Sequence, residues 1–168
     1  MYKKEKIIFL DIDGVLNVIE QGYDEYGPIF HEHFQNNLKY IIEKTGAKIV
    51  ISSSWRSDGI DKLINMWKHR NIAGEIIGIT PQCYDLVNSG KFKFYDEVRR
   101  GDEIQYWIEN NIEYIHSYCI IDDDNDFLET QIENLVRTSN NFHHKDCIDI
   151  GYGLTMECAR KAIGILNK

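Results

Sequence analysis

The chain has 168 residues, 43% apolar and 27% charged, with two Pro and a formal net charge of −8. Length and composition fit one globular domain with a real core. The acidity argues against non-specific nucleic-acid binding, which needs a basic face, and leaves open a small anionic substrate held through a metal. Cys83, Cys119, Cys147 and Cys158 are widely spread and form no C-x-x-C pair, which suits a reduced compartment. Cys119 lies in an apolar run, where Cys behaves as a small core residue. The basic N-terminus, Met1 to Lys6, precedes an apolar run too short for a signal peptide. No stretch reaches transmembrane length, and the expected location is cytoplasmic.

In chain order, Ile7-Ile8-Phe9-Leu10 predicts a buried strand. It ends in Asp11-Ile12-Asp13-Gly14. Ligands of open α/β sheets bind outside the carboxyl ends of strands, which places Asp11 and Asp13 at a site. A carboxylate pair can hold a divalent cation, and a carboxylate can act as a nucleophile. Gly14 permits a sharp turn and close approach of backbone N–H groups to a ligand. Residues 18–28 are irregular; they either fold over the site as a flap or simply connect. Phe34, Leu38, Ile41 and Ile42 predict a helix over 31–45, with Gly46 at C′.

Ala47 to Ile51 predicts a second buried strand, running into Ser52-Ser53-Ser54-Trp55-Arg56. Hydroxyls at that end can bind phosphate oxygens, and Ser equally caps helices. A helix follows over 59–70, with Lys68, His69 and Arg70 suiting its last turn. Glu75 to Ile79 predicts a third strand. Residues 82–99 read as a long loop that either borders a substrate groove or makes a surface excursion. Asp102 is expected to N-cap a helix over 103–111. Tyr118 to Ile121 predicts a fourth strand, ending in Asp122-Asp123-Asp124-Asn125-Asp126. Such clustered carboxylates repel unless a cation or solvent compensates, and the strand end favours the cation. The stretch 127–138 is ambiguous, with Leu135-Val136 as a short fifth strand. His143-His144 reads as loop, because adjacent strand residues face opposite ways and no zinc-type spacing surrounds them. Thr155 caps a last helix with Ala159, Ala162, Ile163 and Leu166 inward. The alternation implies a three-layer, Rossmann-like, mainly parallel sheet of about five strands with helices on both faces.

Three strand ends thus converge: Asp11/Asp13, Ser52 to Ser54, and Asp122/Asp123, with Arg100 at a helix start before the last. This order resembles the four motifs of the haloacid-dehalogenase-like (HAD) hydrolase superfamily. More closely, Leu-Asp-Ile-Asp-Gly-Val-Leu-Asn at 10–17, Ser-Ser-Trp-Arg at 53–56, Arg-Gly-Asp-Glu-Ile at 100–104, Ile-Asp-Asp-Asp at 121–124 and Gly-Leu-Thr at 153–155 resemble the HAD domain in Swiss-army-knife RNA repair proteins. The resemblance spans nearly the whole chain. It implies a Mg²⁺-dependent phosphatase. Asp11 would be the nucleophile and form an aspartyl phosphate; Asp13 would be the general acid–base. Mg²⁺ would be held by Asp11, the Asp13 carbonyl and Asp122 or Asp123. Ser53 and neighbouring backbone N–H groups would bind phosphate. Arg100 would stand where the family usually has Lys, with Arg99 and Lys93 as alternatives.

The segments between these motifs leave no room for a large cap domain, and an open site suits bulky substrates. Specificity is then expected from Trp55 and from the loops at 18–30 and 80–99, whose aromatics, Tyr23, Tyr26, Phe30, Tyr84, Phe92, Phe94 and Tyr95, can stack on a base or belong to the core. Basic residues there are few: Arg56, Lys91, Lys93, Arg99 and Arg100. The expected substrate is a phosphorylated one, with nucleotide or nucleic-acid terminal phosphates preferred. Competing readings are a catalytically silent binding domain on the same fold, a small-metabolite phosphatase, and an acidic-site nuclease or D-x-D sugar-nucleotide transferase. The silent domain has no chemical need for both Asp11 and Asp13.

Overall fold

The computed structural model describes residues 4–139, 148 and 151–168. Its centre is a five-stranded parallel sheet. The strands are β1 (Glu5–Leu10), β4 (Lys48–Ile51), β5 (Ile76–Ile79), β6 (Ile115–Asp122) and β7 (Leu135–Arg137), in the order β5-β4-β1-β6-β7. A two-stranded hairpin, β2 (Tyr23–Asp24) and β3 (Gly27–Pro28), follows β1. The helices are α1 (Glu32–Thr45), α2 (Ile60–His69), α3 (Cys83–Asn88), α4 (Arg100–Asn111) and α5 (Met156–Leu166).

The apolar run of β1 explains its central place. A strand covered on both faces needs continuous rather than alternating hydrophobicity. Ile8 and Leu10 join one core with Phe34 and Leu38 of α1, Leu63 and Trp67 of α2, and Ala159 and Ala162 of α5. Ile7 and Phe9 face the other way, against Ile104 and Ile108 of α4. Three helices therefore cover one face and α4 the other. Leu10 pairs in register with Ile51 on one side and Ile121 on the other. Beyond the strands the ladder continues: the N–H groups of Asp11, Ser52, Thr80 and Thr138 donate to the carbonyls of Ile121, Leu10, Ile51 and Asp122. These bonds put the strand ends in one row.

Several expectations need correction. The loop at 82–99 contains α3 and a 3₁₀ turn, Tyr95–Glu97. The helix expected over 103–111 begins three residues earlier, at Arg100, with Arg99 at N-cap. Asp102 sits at N3, where its Oδ2 accepts from the Arg99 N–H at 3.0 Å. β6 begins at Ile115, three residues before the expected strand. Gly46 takes the left-handed C′ conformation at φ 65°. His143 and His144 lie outside the described residues. Among the described residues only the β2–β3 hairpin and α1 separate β1 from β4, and no large cap is present. No described helix is long and apolar enough to cross a membrane.

The hairpin is tied down rather than loose. Arg70, which ends α2, donates from Nε and Nη2 to the two oxygens of Asp24 at 2.9 and 2.7 Å. That pairing holds the Asp24 carboxyl down at about 2, against an ordinary 3.8. A carboxyl lowered on folding contributes stability above its unfolded value, and the contribution is lost as pH falls through the folded one. Asp24→Asn is therefore expected to lower the melting temperature at pH 7, with the gap to the parent protein closing between pH 4 and 2. Thermal melts across that range check it.

Candidate active site

Asp11 leaves the end of β1 and is 5% exposed. Ser53 and the backbone N–H of Ile12 hydrogen-bond its carboxylate. Arg100 Nη1 lies 3.2 Å from its Oδ2 and 2.7 Å from Asp122 Oδ2. One guanidinium nitrogen thus bridges the ends of β1 and β6. Burial pushes the Asp11 carboxyl up, against Arg100 and Ser53, which pull it down. Burial, opposed by Arg100 and assisted by Asp11, pushes Asp122 up to about 6. Burial works against the Arg100 cation too, yet the two carboxylates outweigh it and raise its pKa above the usual value.

α4 delivers Arg100 through a close helix-to-loop contact. The Gly101 N–H donates to the Asp126 carbonyl at 2.9 Å, and the Arg100 N–H to Asp126 Oδ2 at 3.2 Å. A Cβ on Gly101 would sit 2.7 Å from Gln131 Oε1 and from the Leu128 nitrogen. Only glycine lets α4 approach this far.

Oxygens of Asp11, Asp122 and Asp123 all lie within 4.8 Å of one another. Asp123 reaches in because Gly14 has no side chain: a Cβ there would fall 2.3 Å from the Asp123 carboxyl carbon. Gly14 also turns at φ 75°, and its own N–H donates to the Asn17 carbonyl at 3.0 Å. Its part is therefore conformational, where sequence reading places a ligand-binding N–H. A set of hard oxygen donors suits a divalent cation of the Mg²⁺ class. Burial first, and then the charge of Asp11, raise Asp122, and such a cation would offset both.

Asp13 faces differently. Its Oδ1 accepts from Asn17 Nδ2 at 2.6 Å and its Oδ2 from Trp55 Nε1 at 3.0 Å. Trp55 in turn packs on Phe30, with ring centroids 5.5 Å apart, and lies under Gly27 of the hairpin. Trp55 and Asn17 thus orient a carboxylate. The signal for this lay in the Ser-Ser-Trp-Arg and Asp-Gly-Val-Leu-Asn stretches, but nothing local says that they meet.

The serines separate by role. Ser53 contacts Asp11 and accepts from the Trp55 N–H at 3.4 Å. Ser52 is wholly buried, and its hydroxyl has no hydrogen-bond partner among the described residues. Ser54 is exposed and opens a 3₁₀ turn, Ser54–Asp58. Arg99 pairs with Asp102, and Lys93 lies over the Phe94 ring; of the three basic candidates, Arg100 meets the carboxylates.

Arg56 is not a surface cation. It is 6% exposed and donates from Nη1 to the carbonyls of Ser52 and Ser53 at 2.8 and 2.7 Å, and from Nη2 to Glu103 Oε2 at 2.7 Å. The pair locks the serine loop to α4, so Ser53 and Arg100 are positioned by one contact. Of the aromatics, Phe30 is core, while Tyr23, Tyr84, Phe94 and Tyr95 are exposed.

The family model described as the HAD domain in Swiss Army Knife RNA repair proteins matches residues 7–142. The chain belongs to this family. A Legionella pneumophila protein described as a HAD superfamily (subfamily III A) hydrolase is similar at 13% identity and a TM-score of 0.38, over 98% of this chain and 85% of that one. No curated protein matches. The match runs from Ile7 within β1 past the end of β7 and so contains every candidate site residue described above.

The buried pair generates a stability test for this HAD domain. Glu103→Ala strands a buried guanidinium and is expected to cost about 3–5 kcal/mol, whereas Arg56→Met with Glu103→Leu together should recover most of it. Urea unfolding of the three proteins checks the ranking. Gly14→Ala should fold poorly or displace Asp123, read as lost divalent-cation stabilisation in thermal melts.

Proposed function

We propose that this HAD domain is a Mg²⁺-dependent phosphomonoesterase that works through Asp11. One observation carries the reading: a buried carboxylate at the end of the central strand, with two more carboxylates and a guanidinium converging on it. Mg²⁺ held by Asp11, Asp122 and Asp123 would let a carboxylate approach an anionic phosphate and would offset charge on the phosphoryl oxygens. Asp11 attacks phosphorus, and the bond to the leaving oxygen breaks. Asp13 gives its proton to that oxygen. As a carboxylate it then takes a proton from the water that hydrolyses the aspartyl phosphate. Asn17 and Trp55 keep Asp13 aimed through both half-reactions. Ser53 and Arg100 address the phosphoryl oxygens.

The substrate class follows from openness. Without a large cap over the site, specificity falls to surrounding loops, which expose Tyr23, Tyr84, Phe94 and Tyr95. A terminal phosphate on a nucleotide or nucleic acid is the substrate this supports best, and the family's description points the same way.

Asp11→Asn should fold normally and abolish turnover of a generic aryl phosphate, because an amide is isosteric but a poor nucleophile. Asp13→Asn should lose about 10²–10⁴-fold. Asp122→Ala should require more Mg²⁺ and melt higher than the parent in metal-free buffer, by relief of repulsion. Steady-state assays with and without Mg²⁺ check all three; full activity in a folded Asp11→Asn protein would remove the mechanism. A kcat/KM for a hexose phosphate tenfold above that for a phosphate-ended oligonucleotide would remove the substrate class.

A further inference from the structure

We infer that a single-stranded nucleic-acid chain, its terminal phosphate at Asp11, runs along a cation-lined groove formed by Arg137, Arg160 and Lys161. The inference rests on the phosphomonoesterase reading and adds the surface that distinguishes a chain from a mononucleotide.

The groove consists of two cavities. One, of about 570 Å³, opens beside Asp123 and is lined by Arg137, Thr138, Ser139 and Tyr152. The second, of about 1060 Å³, has Arg137 and Ser139 in its wall too, then runs past Thr155 to Arg160 and Lys161. They share Arg137 and Ser139, so the two cavities adjoin, one beside a site carboxylate and the other against α5. Pockets for compact ligands hold roughly 300–1,000 Å³. The first cavity suits one nucleotide, and the two together exceed what one compact ligand fills.

Charge favours a polyanion. Among the described lining residues the cations are Arg137, Arg160 and Lys161, and the acids are Asp123 and Glu157. Asp123 belongs to the carboxylate set that a cation would neutralise. In a chain of net charge −8, this is a local reversal of sign. Arg137 ends β7, and its Nε donates to the Asp123 carbonyl at 3.2 Å. That bond fixes a guanidinium one residue from the buried Asp122. Tyr152 lines the first cavity but is itself packed against the core. The groove's origin at the proposed phosphoester site favours a nucleic acid over an acidic peptide.

The test uses exposed α5 positions outside the catalytic machinery. Arg160→Gln with Lys161→Gln should lower kcat/KM for a phosphate-ended pentanucleotide about tenfold and leave a mononucleotide unchanged. Single-strand binding loses about 0.7 in log–log salt slope per neutralised phosphate, so the double variant should flatten the slope by about 1.4. Equal losses on both substrates, or no loss on either, would overturn the groove. So would an acidic peptide that competes as well as the pentanucleotide. Anisotropy of the labelled pentanucleotide on Asp11→Asn protein, with and without the α5 changes, reads the groove without turnover. It therefore fails or holds separately from the phosphatase reading.

Discussion

The site depends on one bridge. Arg100 Nη1 stands between Asp11 and Asp122, at 3.2 and 2.7 Å, where two parallel strands end side by side and buried. Two like charges 4 Å apart repel by about 4 kcal/mol at an effective dielectric constant of 20. The sheet register makes this conflict unavoidable, because Leu10 and Ile121 are paired and each is followed by an aspartate. A fixed cation makes the arrangement tolerable, and a divalent metal would complete it. In the proposed function the same conflict is put to use: carboxylates held close and desolvated would receive a cation and a phosphate together.

The rest of the molecule can be understood as support for that bridge. Gly101 brings α4 against the 126–131 segment and so fixes where Arg100 starts. Arg56 and Glu103 join α4 to the serine loop. Gly14 vacates the space that Asp123 enters. On the other side, Arg70 holds the hairpin, the hairpin lies on Trp55, and Trp55 donates to Asp13. Asp11 is thus supported mainly through α4 and Asp13 through α2, and the two networks meet in the serine loop, where Ser53 accepts from the Trp55 N–H.

Much of this was legible in the sequence. The apolar runs ending in Asp11, Ser52 and Asp122 announced buried parallel strands, and strand ends in such sheets converge by geometry. What stayed hidden was long-range. Arg56 looks like a surface cation until Glu103, 47 positions on, is placed beside it. Trp55 looks like a residue that reads the substrate until its Nε1 is seen on Asp13. Asp102 has the composition of an N-cap, yet the contact between Gly101 and the 126–131 segment pulls the helix start back to Arg100. Arg137 carried no local signal, since three residues of edge strand are too short to show a period. Ser52, Ser53 and Ser54 could not be told apart from spacing; burial and the single contact to Asp11 separate them.

The central claim is that Asp11 carries the phosphoryl group. Borohydride reduces an aspartyl phosphate to homoserine. The most direct measurement is therefore to quench the enzyme during steady-state turnover, reduce it and map the modified residue by mass spectrometry. The account predicts homoserine at position 11, dependent on both substrate and Mg²⁺. Homoserine at position 13, or sustained turnover with neither aspartate modified, would contradict it.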